Sequence, residues 1–147
     1  MTSRIRWTPY VWDAPRPVTP HEILLLEQQW NVKLPEEYKK LISTSQGMTP
    51  RPCVFDIGKV KDVMSVLLTV ITDPTKKEYA IRDSYSILKP HIPPGIYPFA
   101  MTPGSEHLCF DYRTSRDEPK VVLVSVEMNV HPVAESFNSF IASLHDA

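Results

Sequence analysis

The sequence contains few glycines and few cysteines, and both shortages exclude kinds of functional site. Four glycines in 147 residues cannot form the glycine-rich loop that many proteins use to bind phosphate groups. Cys53 and Cys109 are too few and too far apart for a disulfide framework or a zinc cluster, so we predict two reduced, mostly buried thiols. No two histidines have the spacing of a metal site. We therefore expect neither a bound metal nor a cofactor.

The chain also lacks a large excess of charge of either sign and lacks any long apolar run. Its 16 basic and 17 acidic residues give a formal charge of -1, which is not the footprint of a nucleic-acid-binding protein. No apolar run approaches the roughly 20 residues of a membrane span, and the N-terminal segment has no apolar stretch of the signal-peptide type. We expect a cytoplasmic protein with neither nucleic acid nor membrane as its partner, and the oligomeric state is left open.

What the sequence does have is an N-terminal segment rich in aromatic residues and prolines. Trp7, Tyr10 and Trp12 stand among three prolines, whereas disordered tails are poor in aromatic residues. We predict an ordered, extended arm over residues 1–18, followed by one domain over residues 19–147. The alternative is that the arm is a contact surface, because tryptophan and tyrosine favour protein interfaces. Trp12 is therefore a candidate partner-binding residue.

Two helix-start signals follow the arm. Thr19 and Glu22 have the spacing of a capping box, with a proline between them that suits the first helical position. A second helix is predicted to begin at Pro35, with acidic residues in its first turn, and to end near Gly47. The first half of the domain is thus predicted to be two short helices at a bend.

The second half mixes strand and helix patterns. After a predicted strand at "VFDI", the segment Val60–Thr72 is compatible with either a helix or a strand. Asp73 is predicted to cap one helix over "PTKKEYAIRDSYSILK", and three strands follow at "IYPFAM", "HLCFDY" and "KVVLVSVE". Pro98 in the first of these strands indicates a sheet edge or a bulge. A closing helix is predicted over "HPVAESFNSFIASL". The fold class is α+β, an antiparallel β-meander with helices packed against it.

The stretch "HLCFDYR" contains the residue types of a cysteine-dependent active site. Alternate side chains on a strand share a face but stand about 6.5–7 Å apart, whereas a nucleophile and its base need about 3 Å. Asp111 also lies on the wrong side of Cys109 to orient His107. A half-buried strand explains the pattern better, with the apolar residues on one face and the polar ones on the other. We expect no catalytic residues, and a cysteine hydrolase is the least favoured hypothesis.

Several segments, taken together and in order, resemble the SUKH superfamily of Smi/Knr-type proteins. "LPEEYKKLISTSQG" resembles its opening helix, "IYPFAMTPGSEHLCFDYR" its central hairpin, "PKVVLVSVE" the next strand and "VAESFNSFIASL" the closing helix. The resemblance implies an α+β domain whose bacterial members are mostly immunity proteins, which bind and neutralise toxins that are often nucleases. Fungal relatives regulate cell-wall synthesis as partner-binding proteins. Where the family usually has Asn–Gly–Gly this chain has Gln46, Gly47 and Met48, and Ser105 replaces the usual Asp or Asn.

From these observations we predict an immunity protein without enzymatic activity, whose partner is a cognate toxin. The alternative is a regulatory scaffold of the Smi/Knr type that uses the aromatic arm. The candidate partner-binding residues are Glu106, His107, Asp111, Arg113, Trp12 and Glu37. Acidic residues, Glu37, Glu106 and Asp111 among them, are expected to face a basic surface on the toxin. For Asp111 and Arg113 a purely structural ion pair is an equal alternative.

Overall fold

A computed structural model describes residues 5–146 and contains four α-helices and nine strands within that range. The helices are α1 (Pro20–Trp30), α2 (Glu36–Ser45), α3 (Ile81–Leu88) and α4 (Phe137–Ser143). The strands are β1 (Arg6–Pro9), β2 (Met48–Arg51), β3 (Val54–Ile57), β4 (Val60–Val63), β5 (Val66–Leu67), β6 (Ile96–Met101), β7 (His107–Asp111), β8 (Lys120–Val124) and β9 (Val130–Ala134). Two 3-10 helices flank α3, at Pro74–Tyr79 and Lys89–His91.

Five of the strands form one antiparallel sheet in the order β5-β6-β7-β8-β9, in which every strand pairs with its neighbour in sequence. The remaining strands form two ribbons, β1-β2 and β3-β4. The predicted α+β class with an antiparallel meander is therefore confirmed. Pro98 lies in β6, which has a neighbour on each side, and the register shifts between Pro98 and Ala100. Of the two expectations for this proline, the bulge is correct and the edge is not.

The helix signals near the start of the domain act as predicted, with one adjustment. The Thr19 hydroxyl accepts a hydrogen bond from the Glu22 backbone N–H, and the Glu22 carboxylate accepts one from the Thr19 backbone N–H, which completes the capping box. In α2, Pro35 is the residue before the first helical position, and Gln46 rather than Gly47 is the C-terminal cap. Gly47 comes next with φ +71°, a conformation that glycine adopts without strain.

The segment Val60–Thr72, which the sequence left undecided, forms the strands β4 and β5 and no helix. The single helix predicted after Asp73 is wrong, because the chain breaks at Ala80 into a 3-10 helix and α3. The physical reason is a competing set of backbone hydrogen bonds. The Thr69 N–H donates to the Tyr79 carbonyl and the Thr69 carbonyl accepts from the Ile81 N–H, so a neighbouring segment takes up the groups that a continuous helix needs.

The closing helix predicted over residues 131–144 is also shorter than expected. Its first part is the strand β9, which pairs with β8, and α4 begins only after Ser136 caps it. The Ser136 hydroxyl accepts from the Ser139 backbone N–H at 3.0 Å, so the helix begins at residue 137 and not at the predicted residue 131. Residues 130–134 form a strand because their backbone pairs with β8, a contact that the local apolar pattern does not reveal.

The sheet has two faces with different cover. On the first, which we call the core face, Phe99 and Phe110 stack at a centroid distance of 4.4 Å, and both contact Tyr38 of α2 and Phe137 of α4 edge-on. On the second face a smaller buried cluster comprises Leu88, Ile92, Ile96, Cys109, Val122 and Val124. The sheet is therefore buried on both sides over its central strands, like a layer between two others.

The N-terminal arm is part of this packing. Strand β1 pairs with β2, the Val11 N–H donates to the Gly47 carbonyl, and the buried Gln46 side chain joins the arm to the domain. The Gln46 amide donates to the Arg16 carbonyl at 2.7 Å and accepts from the Val70 N–H at 2.8 Å. From residue 5 onward the N-terminal segment is thus packed against the domain. The boundary between residues 1–18 and 19–147 stays a prediction, and residues 1–4 and 147 lie outside the described residues.

Replacing Gln46 tests this connection. Gln46→Leu removes these hydrogen bonds and leaves the buried Val70 backbone N–H without its partner, which typically costs about 1–3 kcal/mol. We expect the free energy of unfolding in urea to fall by at least the lower figure. The control is Gln28→Leu on α1, where the side chain is exposed and a change within about 0.5 kcal/mol is expected. Equal stabilities for the two variants would contradict the proposed role of Gln46.

Candidate functional site

Strand β7 carries three of the residues that the sequence singles out, His107, Cys109 and Asp111, and it is buried along its whole length. It lies between β6 and β8, and all its residues from His107 to Asp111 are buried. His107 retains 9% of its accessible surface and Asp111 7%. The expectation of an exposed polar face on this strand is therefore wrong for these residues. The second face is buried because Leu88 and Ile92, which lie outside the strands predicted from the sequence, pack over it.

Cys109 lies in the middle of that buried face and has no base to activate it. Burial, together with the nearby Asp111 carboxylate, raises the pKa of the Cys109 thiol well above its ordinary value. Its Sγ atom lies 3.8 Å from the backbone carbonyl oxygen of His107, and no contact with the imidazole ring is found in the described residues. A neutral thiol out of reach of solvent is a poor nucleophile. The buried-strand interpretation of "HLCFDYR" accounts for this geometry.

His107 is neutral at physiological pH for a similar reason. Burial lowers the pKa of the His107 imidazole to about 4, because the protein interior disfavours the charged ring. Across the sheet it faces Val124 on one side and Met101 on the other. The side chain is therefore a packed, uncharged ring in this structure and offers a partner little surface.

Asp111 and Arg113 form the pair that the sequence left open between a structural and a contact role. The Asp111 carboxylate accepts from the Arg113 backbone N–H at 2.9 Å, from Nε at 3.0 Å and from Nη2 at 2.9 Å. Burial opposes ionisation of Asp111, but these hydrogen bonds outweigh it and hold the pKa of its carboxyl below the ordinary value. The Arg113 side chain nevertheless keeps 41% of its surface exposed. The pair is structural at its Asp111 end and accessible at its Arg113 end.

The strand register brings two further charged residues to this pair. Lys120 on β8 lies directly across from Asp111, and its ammonium group is 3.8 Å from the Glu135 carboxylate. Together they border an open groove of about 600 Å³ on the second face, near the edge strand β9. Its lining includes Asp111, Arg113, Lys120, Val130, Pro132 and Glu135. Sequence reasoning missed the last four, because the register of β8 and the existence of β9 depend on tertiary pairing.

The other predicted site residues lie in separate contact networks. Trp12 donates from its indole N–H to Asp73 at 2.8 Å, and the Arg16 guanidinium lies 4.5 Å above the ring. Glu37 is exposed on α2 and pairs with Lys40 at 3.6 Å. Neither residue lines the groove. The structure therefore brings together only Asp111 and Arg113 of the six predicted positions.

Glu106 lies in the turn between β6 and β7, close to a second carboxylate. A hydrogen bond with the Asp62 side chain, burial and the nearby charge of Glu127 together raise the pKa of the Glu106 carboxyl. Its backbone N–H donates to the Thr102 hydroxyl at 3.1 Å, and the turn contains Ser105 with φ +65°. Asn and Asp tolerate that left-handed conformation better than other non-glycine residues.

Among residues 5–146 no group of three or more His, Cys, Asp or Glu side chains is arranged to hold a metal ion. Within the same range, none of the helices has the length and apolar character needed to cross a bilayer.

The burial of Cys109 predicts a large difference in reactivity between the two thiols. In the native protein at pH 8, the half-buried Cys53 should react with a maleimide or a disulfide reagent, whereas Cys109 should react only after unfolding. Mass spectrometry of the labelled peptides, before and after addition of denaturant, measures this difference. Rapid labelling of Cys109 in the folded protein would contradict the structure and restore a cysteine-dependent enzyme as a hypothesis.

The buried imidazole of His107 predicts loss of stability in mild acid. The unfolded chain takes up a proton near pH 6.5 but the folded chain only near pH 4, so stability falls as the pH drops between these values. One pKa unit corresponds to about 1.4 kcal/mol, which makes the total effect about 3 kcal/mol. Urea unfolding between pH 7 and pH 4 should show a smaller decrease for His107→Leu. The exposed-residue control His131→Leu should retain the wild-type slope.

The whole domain, rather than any single residue, matches a known protein family. A comparison with curated proteins finds no match. The family model described as SMI1 / KNR4 family (SUKH-1) matches residues 17–143, which span both helices of the first half, the five-stranded sheet and α4. This agrees with the resemblance carried by the four sequence segments. The chain therefore belongs to the SMI1/KNR4 family (SUKH-1).

Proposed function

We propose that this protein is an immunity protein that binds a cognate toxin and neutralises it by direct contact, without catalysis. The observation that carries the proposal is the family match over residues 17–143. Membership of this family supports an immunity role or a Smi/Knr-type protein-interaction role, and its members are generally non-catalytic. In this proposal the toxin is a nuclease of bacterial origin, and the encounter takes place in the cytoplasm.

The chemistry of β7 supports a binding role over a catalytic one. Its thiol is buried, its imidazole is uncharged, and its carboxylate is occupied by three hydrogen bonds from Arg113. A general base has to be within about 3 Å of the proton it removes, and no such arrangement involves Cys109 in the described residues. These three groups therefore stabilise the strand and the surface at its end, and their environment does not favour a chemical reaction.

The rigidity of the sheet also favours inhibition by binding. Strand β7 is hydrogen-bonded on both sides and packed on both faces, so the residues at its end are held before any partner arrives. A preorganised surface loses less conformational entropy on association and therefore binds more tightly for the same contacts. The charge pair at the end of β7 is such a surface, because Arg113 is fixed by Asp111 and still reaches solvent.

The contacts of the acidic residues support only part of the acidic contact surface that the sequence predicts. Glu37 pairs with Lys40, and Asp111 pairs with Arg113, so two of the predicted acidic contacts are neutralised by cations of the same chain. Glu106 lies beside Asp62, which raises the pKa of its carboxyl and so favours the uncharged form. The roles of all six residues, Glu106, His107, Asp111, Arg113, Trp12 and Glu37, in partner binding stay predictions.

The proposal is tested by co-expressing the protein with the toxin encoded beside its gene. Cells that produce the toxin should grow only when the protein is present, and the two purified proteins should form a stable complex. Cys109→Ala should protect as well as the wild type, because the thiol takes no part in binding. A folded wild type that gives neither protection nor a complex would overturn the immunity role and favour the Smi/Knr-type scaffold. Loss of protection in a folded Cys109→Ala variant would instead indicate a catalytic thiol.

A further inference from the structure

The second face of the sheet is only partly covered by the chain itself. Leu88 and Ile92 pack over its centre, where Ile96, Cys109 and Val122 complete a buried cluster. Toward β9 this cover ends, and an open groove of about 600 Å³ follows. The groove is bordered by the charged end of β7 and β8 on one side and by the edge strand on the other. It is therefore an uncovered part of a sheet face whose remainder is packed.

The floor of the groove is apolar and accessible. Val130 and Val133 are half-buried, Pro132 is exposed, and Pro132 is paired in register with the buried Val122. Apolar surface that is in contact with water favours binding of a partner that covers it, roughly in proportion to the area covered. A partner with a single apolar side chain at this point would thus extend the buried cluster of the second face.

The wall of the groove carries hydrogen-bond donors with unused capacity. Nε and Nη2 of Arg113 donate to Asp111, whereas Nη1 has no hydrogen bond within residues 5–146. Lys120 has one charged neighbour at 3.8 Å, the Glu135 carboxylate, and that distance is too long for a good hydrogen bond. Glu135 itself is 85% exposed, so its ion pair with Lys120 is weak and screened by solvent. The two carboxylates of the groove, Asp111 and Glu135, therefore leave N–H donors of Arg113 and Lys120 available to a partner.

We propose that this groove binds a segment of the toxin in which a carboxylate lies beside an apolar side chain. The carboxylate bonds to Arg113 and Lys120, and the apolar side chain rests on Val130 and Pro132. This inference rests on the proposed function and specifies which surface performs it. Arginine is suited to the task, because its planar guanidinium matches the geometry of a carboxylate and is already held in place by Asp111.

Pairing of a toxin strand with β9 is a less suitable arrangement. Pro132 lacks a backbone N–H and therefore interrupts the hydrogen-bond ladder that a new edge strand would need. The side chains of the groove, rather than the backbone of β9, offer the complementary groups. The contact is consequently expected to depend on charge and on local apolar area, and to weaken as salt concentration rises.

The test measures binding of the purified toxin, in a catalytically inactive form, to groove variants by isothermal titration calorimetry. Arg113 is left intact in all of them, because its loss would leave the buried Asp111 without a partner. Lys120→Gln should weaken binding several-fold and reduce its salt dependence, and Lys120→Glu should weaken binding by about tenfold or more. Pro132→Ser should weaken binding without changing the salt dependence. Circular dichroism and thermal unfolding establish that each variant is folded.

The matched control is Lys61, an exposed lysine on β4 that pairs with Asp56 at 3.2 Å and does not line the groove. Lys61→Gln and Lys61→Glu should bind within about twofold of the wild type, since they change the same charge elsewhere. Wild-type affinity in folded Lys120→Glu and Pro132→Ser variants would overturn the groove assignment while leaving the immunity role intact. A wild type that does not bind the toxin would overturn both.

Analytical ultracentrifugation of the protein alone tests whether the groove is instead occupied by a second copy of this chain. If the wild type self-associates, Lys120→Glu is monomeric and toxin binding is the same for both, the groove is an interface between two copies of this chain. That result would overturn the proposal. A monomeric wild type together with the graded loss of affinity described for Lys120 and Pro132 would support it.

Discussion

The burial of β7 between two packed faces is the constraint on which the rest of the structure depends. On the core face, Phe110 stacks on Phe99 and meets Tyr38 and Phe137, which brings α2 and α4 onto the sheet. Aromatic side chains bury large areas, so this cluster dominates the driving force for folding. On the second face Cys109 completes a smaller cluster. Any group on β7 must therefore be compatible with a low-dielectric interior.

That constraint explains the chemical state of the polar residues on the strand. His107 is uncharged and Cys109 stays a thiol, because burial disfavours both ions. Asp111 can remain ionised since Arg113 provides hydrogen bonds to both of its oxygens. The residue types of an active site are thus present, but their environment suppresses the reactivity that catalysis would need. Of this group, the charged side chain that reaches solvent is Arg113, just beyond the end of β7.

The family and the geometry together point to recognition of another protein. The SMI1/KNR4 match covers residues 17–143, and within them the end of β7, β8 and the edge strand form an uncovered groove. Such a place combines a rigid frame with a small number of exposed charges, which gives specificity with little loss of entropy. The aromatic arm is less free than its composition indicates, because Trp12 is bonded to Asp73 and covered by Arg16.

The sequence by itself determined the α+β class, the first two helices and the three central strands, because capping boxes, prolines and alternating patterns act over a few residues. At Pro98 it predicted a sheet edge or a bulge, without deciding between them. It also determined that Asp111 and Arg113 are close. Tertiary structure decided the break at Ala80, the strands in Val60–Thr72 and the conversion of residues 130–134 into β9, since each depends on backbone hydrogen bonds to distant segments. It likewise decided which polar side chains are buried and that Lys120 faces Asp111, because burial and strand register are properties of the assembled sheet.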